Sequence, residues 1–361
     1  MSDEVIVAAD ALRSLINEMV RYGGSEAAEC QIVADHLVGA NLSGHDSHGV
    51  GIVPTYVTNL QKNLLIPNTS ATNVRDDGAF LQFDGGKGYG QRVAAEAMAA
   101  AIERCGETGI VAMTLKNAHH IGRVGTYGEM ATAAGLISLH FVNVTDHFAI
   151  VAPHRGGDAR FGTNPVCIAM PTSTPAEPII LDMATSKVAM GKLRVANNEG
   201  KRLADGIVID ADGNPSNDPG VMFREPKGAL LPFAEHKGYG LALMAELMSG
   251  TLSGGGTLQP GNERLDGIIN TMTAIVLDPA RLGDVGWIRA EVDAMADYAK
   301  ASPPVDPALP VLVPGEPERL SRVERNTNGI PLDRESWDQL LGAGETLGLS
   351  RADARAIAGV G

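Results

Sequence analysis

Residues 85–91 read GGKGYGQ and come nearest in this chain to the fingerprint G-x-G-x-x-G, which binds dinucleotides just after a strand. The third glycine of the fingerprint would fall on Gln91, so the spacing fails. The chain also lacks the patterns G-x-x-x-x-G-K-[ST], H-E-x-x-H and G-x-S-x-G, and its histidines and carboxylates do not recur at metal-ligand spacing. A nucleotide bound to this protein therefore needs a scaffold other than the Rossmann fold, and no metal site is expected.

Size and composition limit the classes of function. The chain has 361 residues, 44% of them apolar, and can bury one large core or two linked cores without disulfides or structural metals. A formal net charge of −14 and scattered cationic residues argue against nucleic acid and anionic lipid as partners, which leaves small molecules and proteins. Three cysteines without a close pair, a start without a basic flank and no apolar run of membrane-spanning length predict a cytoplasmic protein.

Hydrophobic periodicity predicts helices near the start and alternating elements in the middle. Apolar residues from Leu12 to Val20 recur at helical spacing, and Ser25 can cap a second helix with Glu26 in its first turn. After GAFLQFDGG (78–86), short apolar strands alternate with glycine-rich turns and helices. The predicted strands are 109–117, 135–144, 165–170, 178–184, 206–210 and 270–277, and the predicted helices are 91–107, 126–135 and 238–250.

The last third of the chain closes with two amphipathic helices, around 289–302 and 334–348. They are joined by a Pro-rich connector over 302–320, which is too apolar for a loose linker. The whole pattern predicts that helices from both chain ends pack together, and that the middle forms a second lobe of about 170 to 200 residues.

Two histidine clusters are the first candidates for chemistry. GHDSHG (44–49) places Ser47 and His48 after the second predicted helix. KNAHHIGRVG (116–125) places His120 where a strand runs into a helix start, whose free amides can receive an anion. Either cluster can instead be a hydrogen-bonded loop in which the imidazoles have only structural partners.

Three further stretches combine glycine with small polar or basic residues. They are HRGGDARFGTNPV (154–166), LDMATSKVAMGKLR (181–194) and AEHKGYGLALMAELMSG (234–250). In the second, Thr185 or Ser186 can cap a helix whose amides receive a phosphate. A satisfied cap, solvated lysines and plain core packing also account for each stretch alone. Together the stretches predict one basic, imidazole-bearing pocket, suited to an anionic substrate and a phosphorylated cofactor.

Taken together, GHDSHG, HHIGRVG, FGTNP, LDMATS, EHKGYGLALMAELMSG and PGE resemble the malate/lactate dehydrogenase family in their order and separations. The likeness runs over nearly the whole chain. It implies an α+β fold with a non-Rossmann NAD(P)-binding lobe, whose mixed, largely antiparallel sheet is flanked by helices, beside a helical domain made from both chain termini. We therefore expect a helical domain at 1–75 and 280–361, an NAD(P)-binding sheet domain at 76–279, and a homodimer.

The same resemblance implies an oxidoreductase that transfers a hydride between NAD(P)H and a 2-oxocarboxylate or 2-hydroxycarboxylate. The expected catalytic residues are His120, Ser47 and His48, with His120 as the acid/base for the substrate oxygen. The expected cofactor contacts are His48, Gly122, Arg123, Val124, Ile180, Leu181, Asp182, Met183, Ala184, His236, Asn270, Pro314, Gly315 and Glu316. The expected substrate contacts are Ser47, Tyr56, Asp146, His147, Arg160 and Asn164. NAD or NADP is left open, since Lys187, Lys192 and Arg194 could pair with a 2′-phosphate.

Two positions depart from the family pattern. Many members carry an arginine five residues after the serine, where this chain has Ile52, so Arg123, Arg160 or backbone amides must meet the substrate carboxylate, or the pocket accepts a less polar side group. An apolar pocket wall favours aromatic or branched 2-oxo acids over malate. If Asp146 faces the pocket it disfavours a second carboxylate, which leaves reduction of a cyclic imino acid as an alternative. A cofactor-binding sensor without catalysis is the alternative from another class.

Overall fold

The computed structural model describes residues 4–198, 200–265 and 267–360. Its strands are β1 Glu4–Val7, β2 Thr72–Asp77, β3 Phe80–Asp84, β4 Ile110–Ala118, β5 Ile137–Val144, β6 Val166–Met170, β7 Ile179–Met183, β8 Val208–Ile209, β9 Pro215–Ser216, β10 Ala229–Leu230, β11 Asn270–Leu277 and β12 Ile330–Asp333. Its helices are α1 Ala9–Tyr22, α2 Ala27–Leu42, α3 Val53–Gln61, α4 Gly90–Thr108, α5 Gly125–Ala133, α6 Met190–Asn198, α7 His236–Gly250, α8 Val285–Lys300, α9 Glu316–Asn328, α10 Arg334–Leu347 and α11 Arg351–Ala358. Within these ranges, no helix is both long and apolar enough to cross a membrane.

A seven-stranded sheet occupies the middle of the chain, in the order β2-β3-β4-β11-β5-β6-β7. The β3–β4 pair is parallel, and the other neighbouring pairs in this sheet are antiparallel. Strand β11 is inserted between β4 and β5, so that Ala274 lies opposite Met113 on one side and His140 on the other. The prediction of a mixed, largely antiparallel sheet is confirmed, and this strand order differs from the parallel Rossmann order.

Helices cover both faces of this sheet. On one face, α4 and α5 pack against a core to which β11 contributes Met272, Ala274 and Val276. On the other face lies α7, where Thr273 Oγ1 donates to the Met248 carbonyl at 2.7 Å. The switch from one face to the other follows the two-residue period of a strand.

The two chain ends build a separate helical core. Its buried side chains come from Val7 to Tyr89 and from Ile330 to Ala358. Strand β1 pairs antiparallel with β12, which ties the two ends together. The prediction that helices from both ends pack together is confirmed.

The proposed division at 75/76 and 279/280 remains a prediction, and the contacts of α8 bear on its second boundary. Asp293 of α8 accepts a hydrogen bond from the backbone N–H of Ser173, at 3.2 Å, in the part of the chain that follows β6. The helical core draws no described side chain from α8. We therefore propose that the second boundary lies after α8, in the segment before β12.

Three local predictions were wrong. Helix α2 begins at Ala27 with Glu26 at its N-cap, because the Ser25 hydroxyl donates to Glu29 Oε1 at 2.6 Å instead of capping. Neither Thr185 nor Ser186 caps α6, since both hydroxyls donate to carbonyl groups of loop residues before the helix begins at Met190. The Pro-rich connector over 302–320 contains the start of α9, whose first turn tolerates a proline.

Candidate active site

The loop 119–124, between β4 and α5, lies where the helical lobe meets the sheet. The Ile121 N–H donates to Asn270 Oδ1 at 2.9 Å, which fixes the loop to the first residue of β11. The Arg123 N–H donates to His36 Nε2 at 2.9 Å, which fixes it to α2. Each lobe therefore supplies a buried acceptor that holds the backbone on either side of Gly122.

A linear chain of four side chains crosses from one lobe to the other. Gln91 Nε2 donates to the Tyr56 hydroxyl at 2.6 Å, and that hydroxyl lies 2.7 Å from His120 Nδ1. His120 Nε2 in turn lies 3.2 Å from His48 Nδ1, and the two rings are nearly parallel, with centroids 5.4 Å apart. Two histidines that belong to separate sequence motifs are thus within hydrogen-bond distance of each other.

The donors in this chain determine which nitrogen of neutral His120 carries the proton. The Gln91 amide donates to the phenol oxygen, so Tyr56 directs its one proton to His120 Nδ1. The proton of neutral His120 is then on Nε2, the nitrogen nearest His48. His48 is only partly buried, whereas Gln91 is buried. The proton of His120 therefore lies toward the His48 end of the hydrogen-bonded series, which is closer to solvent.

Burial keeps these imidazoles neutral. Loss of hydration, together with repulsion from the nearby His45 and Arg123, lowers the pKa of His48 to about 4. Desolvation also holds the pKa of His120 well below 6.5, aided by repulsion from His48 and other neighbouring imidazoles. Burial raises the pKa of Tyr56 far above its usual range. At neutral pH the four hydrogen-bonded side chains are therefore uncharged, although the Tyr56 hydroxyl and the imidazoles carry protons that can be transferred.

We expect the same burial to make the fold lose stability in acid. The pKa is lowered by burial from 6.5 to about 3 in His36 and to about 4 in His140. Between pH 6.5 and those values the unfolded chain binds more protons, so stability present above pH 6.5 is lost as the pH falls, by up to about 1.4 kcal/mol per pH unit for each histidine. Urea unfolding between about pH 7 and about pH 5 measures this slope.

The control for this prediction is His140→Gln, because His140 is buried in β5 and hydrogen-bonds to Ser138, 2.9 Å away. Removal of this one titrating group is expected to flatten the slope by up to about 1.4 kcal/mol per pH unit. A wild-type slope in that variant would contradict the explanation.

Three residues of this region escaped the sequence analysis. They are His36, which accepts from the loop backbone, Gln91 at the end of the hydrogen-bonded chain, and Asn59, whose Nδ2 lies 2.8 Å from His119 Nε2. All three are buried polar side chains on helices. The available signal was a polar residue among apolar neighbours on a helix, since such a residue needs a partner elsewhere.

Within the cluster at 45–48, the first two residues contact α9 and the last two lie beside α6. His45 Nε2 lies 3.0 Å from Glu318 Oε1, and Asp46 forms a two-pronged ion pair with Arg325. Ser47 and His48 continue along the same short 3-10 turn, and α6 packs against that turn.

The predicted cofactor residues near Arg123 surround a cavity of about 220 Å³. Its lining includes Arg123 from the loop after β4, Ile180 from β7 and Gly315 from the 314–316 turn. The Ile180 N–H donates to the Pro314 carbonyl at 3.1 Å, which holds the last two segments together. Asp182 Oδ2 accepts the first N–H of α5, from Gly125, at 2.7 Å. Three predicted segments that are distant in sequence thus line one cavity.

The remaining predicted cofactor residues have other surroundings. His236 is exposed at the start of α7, with its ring centroid 6.0 Å from that of His154. Asn270 is buried, and its amide group is used twice, by the Ile121 N–H and by the Asn143 carbonyl. Asn270 is therefore a residue that holds the loop 119–124 in place.

Several predicted substrate residues have local partners. The carboxylate of Asp146 accepts the backbone N–H groups of Leu265 and Gly267. Asn164 is buried and donates from Nδ2 to the Ala242 carbonyl and to Glu246. The ring of His147 packs against the ring of Phe148, with centroids 4.0 Å apart. Arg160 is largely exposed and forms a two-pronged pair with Asp158, at 2.9 and 2.5 Å.

Comparisons with known proteins agree with this architecture. Residues 7–341 match the family model described as malate/L-lactate dehydrogenase. The chain is 45% identical over 343 residues to hydroxycarboxylate dehydrogenase B of Escherichia coli (strain K12), covering 94% of both chains. It is 42% identical over 318 residues to L-lactate dehydrogenase of Cupriavidus necator, covering 88% of this chain and 91% of the relative. A solved E. coli structure assigned as a malate/lactate dehydrogenase superposes with a TM-score of 0.93 at 43% identity, covering 98% of both chains. The chain belongs to the malate/L-lactate dehydrogenase family and is a dehydrogenase.

Proposed function

We propose that the protein is an NAD(P)-dependent 2-hydroxycarboxylate dehydrogenase that interconverts 2-oxo and 2-hydroxy acids. The observation that carries this proposal is the hydrogen-bonded chain from Gln91 through Tyr56 and His120 to His48. Such a chain supplies a proton from His120 Nε2 and returns one to Nδ1 from the Tyr56 hydroxyl, and a carbonyl oxygen requires a proton when its carbon is reduced.

Each side chain has a part in the proposed reaction. The bound nicotinamide cofactor supplies or accepts the hydride. His120 gives its Nε2 proton to the substrate oxygen, the Tyr56 hydroxyl returns a proton to Nδ1, and solvent reprotonates the phenol oxygen before the next turnover, so that the net proton comes from water. Gln91 Nε2, 2.6 Å from the phenol oxygen, stabilises the negative charge that would develop there. His48 and Ser47 hold the same substrate oxygen by hydrogen bonds, and the reverse reaction uses the same groups in the opposite order.

The cavity beside Arg123 fits a phosphate-bearing cofactor. The Arg123 guanidinium is almost fully buried, and within the described part of the chain its Nε has no hydrogen-bond partner. Arg319 and Arg322 of α9 also line the cavity, so three guanidinium groups reach it and favour an anion. We propose that Gly122 to Val124, Ile180 to Ala184 and Pro314 to Glu316 hold the cofactor along this path, and that NAD or NADP is the group bound.

The decisive experiment follows NADH and NADPH absorbance with a panel of 2-oxo acids that carry small, acidic, branched and aromatic side groups. Oxidation of either cofactor with at least one 2-oxo acid is the expected result. Activity on a cyclic imino acid with none on any 2-oxo acid would contradict the proposal. Reduction of an imine was an alternative because Asp146 could face the substrate pocket. Both oxygens of its carboxylate instead accept backbone N–H groups.

We also propose that the protein is a homodimer. Helix α8 and the segments on either side of it expose an unusual number of large apolar side chains, namely Leu282, Trp287, Met295, Tyr298, Val305 and Leu309. Monomeric proteins rarely leave such a patch in water, and a symmetric second copy is the commonest way to cover one.

Light scattering on the purified protein is expected to give twice the mass of one chain. Trp287→Glu, on the α8 patch, is expected to give single chains, because it places a charge in the middle of the covered surface. The matched control is Phe80→Glu, a similarly exposed residue on β3, which is expected to stay dimeric. If both variants keep the wild-type mass, α8 is not the interface.

A further inference from the structure

We propose that Arg194 of α6 binds the carboxylate of the substrate, in the role that the arginine absent from position 52 would have had. The inference rests on the proposed function, because it requires a 2-oxo acid bound beside His48 and His120. It identifies the cation that would bind the substrate carboxylate in a protein whose formal net charge is −14.

The arginines considered from the sequence already have partners. Arg123 is almost fully buried, 2.8 Å from Glu129 Oε1, and it lies on the cavity proposed for the cofactor. Arg160 is paired with Asp158. The side chain at position 52 is apolar and packs against the helical core. The carboxylate must therefore be met from another element.

Helix α6 is the element that closes over the serine. A Cβ atom at Gly191 would lie 2.8 Å from the Cβ of Ser47, so the helix approaches this closely because position 191 is glycine. Arg194 follows Gly191 by three residues, and residues at that spacing share one face of a helix. The face of α6 that touches Ser47 is therefore the face that carries Arg194.

The guanidinium of Arg194 lies beside the position of the missing arginine. Its Nη2 is 3.6 Å from the place where a Cβ of Gly51 would be, and Gly51 is the neighbour of Ile52. Gly51 is three residues from His48, in a second 3-10 turn that follows extended Gly49, so at most about 11 Å separates their Cα atoms. The substrate carboxylate, one bond from the reacting carbon, would bridge from the histidines toward this guanidinium.

The charge of Arg194 is also available. The side chain is partly buried, and in the described ranges it makes no ion pair and no hydrogen bond. A guanidinium binds a carboxylate through two parallel hydrogen bonds, which fixes orientation as well as position. A partly buried guanidinium without an acidic partner, next to the proposed catalytic serine and histidine, suits a substrate that brings its own carboxylate.

The test is Arg194→Gln, with KM and kcat measured separately on a 2-oxo acid and on its uncharged amide. KM for the acid is expected to rise by about 10- to 100-fold, while kcat falls less and the amide is unaffected. Lys192→Gln, which removes an exposed charge from the same helix, is the matched control and is expected to behave as wild type with NADH, which has no 2′-phosphate for Lys192 to meet. Adding Ile52→Arg to Arg194→Gln is expected to restore much of the lost affinity, because it places an arginine at the family position.

Binding of oxamate, a non-reacting analogue, separates this inference from the proposed function. Calorimetric titration in the presence of NADH is expected to show binding by the wild-type protein and weaker binding by Arg194→Gln. If the wild type binds oxamate but reduces no 2-oxo acid, the proposed function fails while the role of Arg194 stands. Unchanged oxamate affinity in Arg194→Gln, or a loss confined to NADPH affinity, overturns the inference.

Discussion

Replacing His120 by alanine is expected to lower kcat/KM for a 2-oxo acid by about 10²- to 10⁴-fold, the range that a positioned acid/base contributes. The ring contacts Tyr56 through Nδ1 and His48 through Nε2, so its removal interrupts the chain at the centre. Cofactor affinity is expected to change little, because the cavity proposed for the cofactor is lined by Arg123 from this loop and, among the described residues, not by His120. Steady-state kinetics and quenching of protein fluorescence by NADH measure the two quantities separately.

The neighbouring histidine is the matched control for this prediction. His119 is buried in the same loop, but its Nε2 lies 2.8 Å from Asn59 Nδ2, and its ring packs edge-on against that of Tyr56, with centroids 5.2 Å apart. His119→Asn is expected to cost stability and to retain most of the turnover. Tyr56→Phe removes only the return of a proton to His120 Nδ1 and is expected to lose less than His120→Ala. Wild-type turnover in His120→Ala, or a loss of cofactor binding without a loss of turnover, would rule out the acid/base role.

The relation between sequence and structure differs from one element to another. The strand 270–277 was predicted from its apolar run, with the bounds that the structure has for β11. Its insertion between β4 and β5 depends on contacts between residues far apart in the chain, which local periodicity does not encode. The opposite case is α9, whose prolines suggested a connector, although a proline in the first turn leaves a helix intact.

The candidate site shows the same contrast. His120 and His48 were identified because their motifs are unusual in a chain with nine histidines. His36 and Gln91 were not, because a single polar residue within an apolar helix resembles ordinary sequence until its partner is known. The structure shows that Gln91, the residue that ends the dinucleotide fingerprint one glycine short, is the donor to Tyr56. The sequence analysis rejected the fingerprint at Gln91 but gave no indication of what Gln91 contacts.

The glycine just before Gln91 has a role that can be tested. Gly90 begins α4, and a Cβ at this position would lie 2.1 Å from the His119 carbonyl oxygen and 2.4 Å from the His120 carbonyl oxygen. Both distances are far below van der Waals contact, and both atoms belong to the backbone, which cannot rotate away as a side chain would. Close packing of α4 on the catalytic loop therefore requires the absence of a side chain at position 90.

Gly90→Ala is accordingly expected to destabilise the fold by about 1 to 3 kcal/mol and to lower kcat/KM by about 10²-fold, because a displacement of about 1 Å at the catalytic group has that effect. Gly106→Ala makes the same change in the same helix, at a position with no atom near the added methyl group. It is expected to stabilise the protein by about 0.5 to 1 kcal/mol, since alanine is the better helix former, and to keep wild-type turnover. Urea unfolding and steady-state kinetics on the two variants compare them directly. Equal turnover in both would mean that the loop tolerates the shift, and that the position of His120 is set by its side-chain partners and not by the packing of α4.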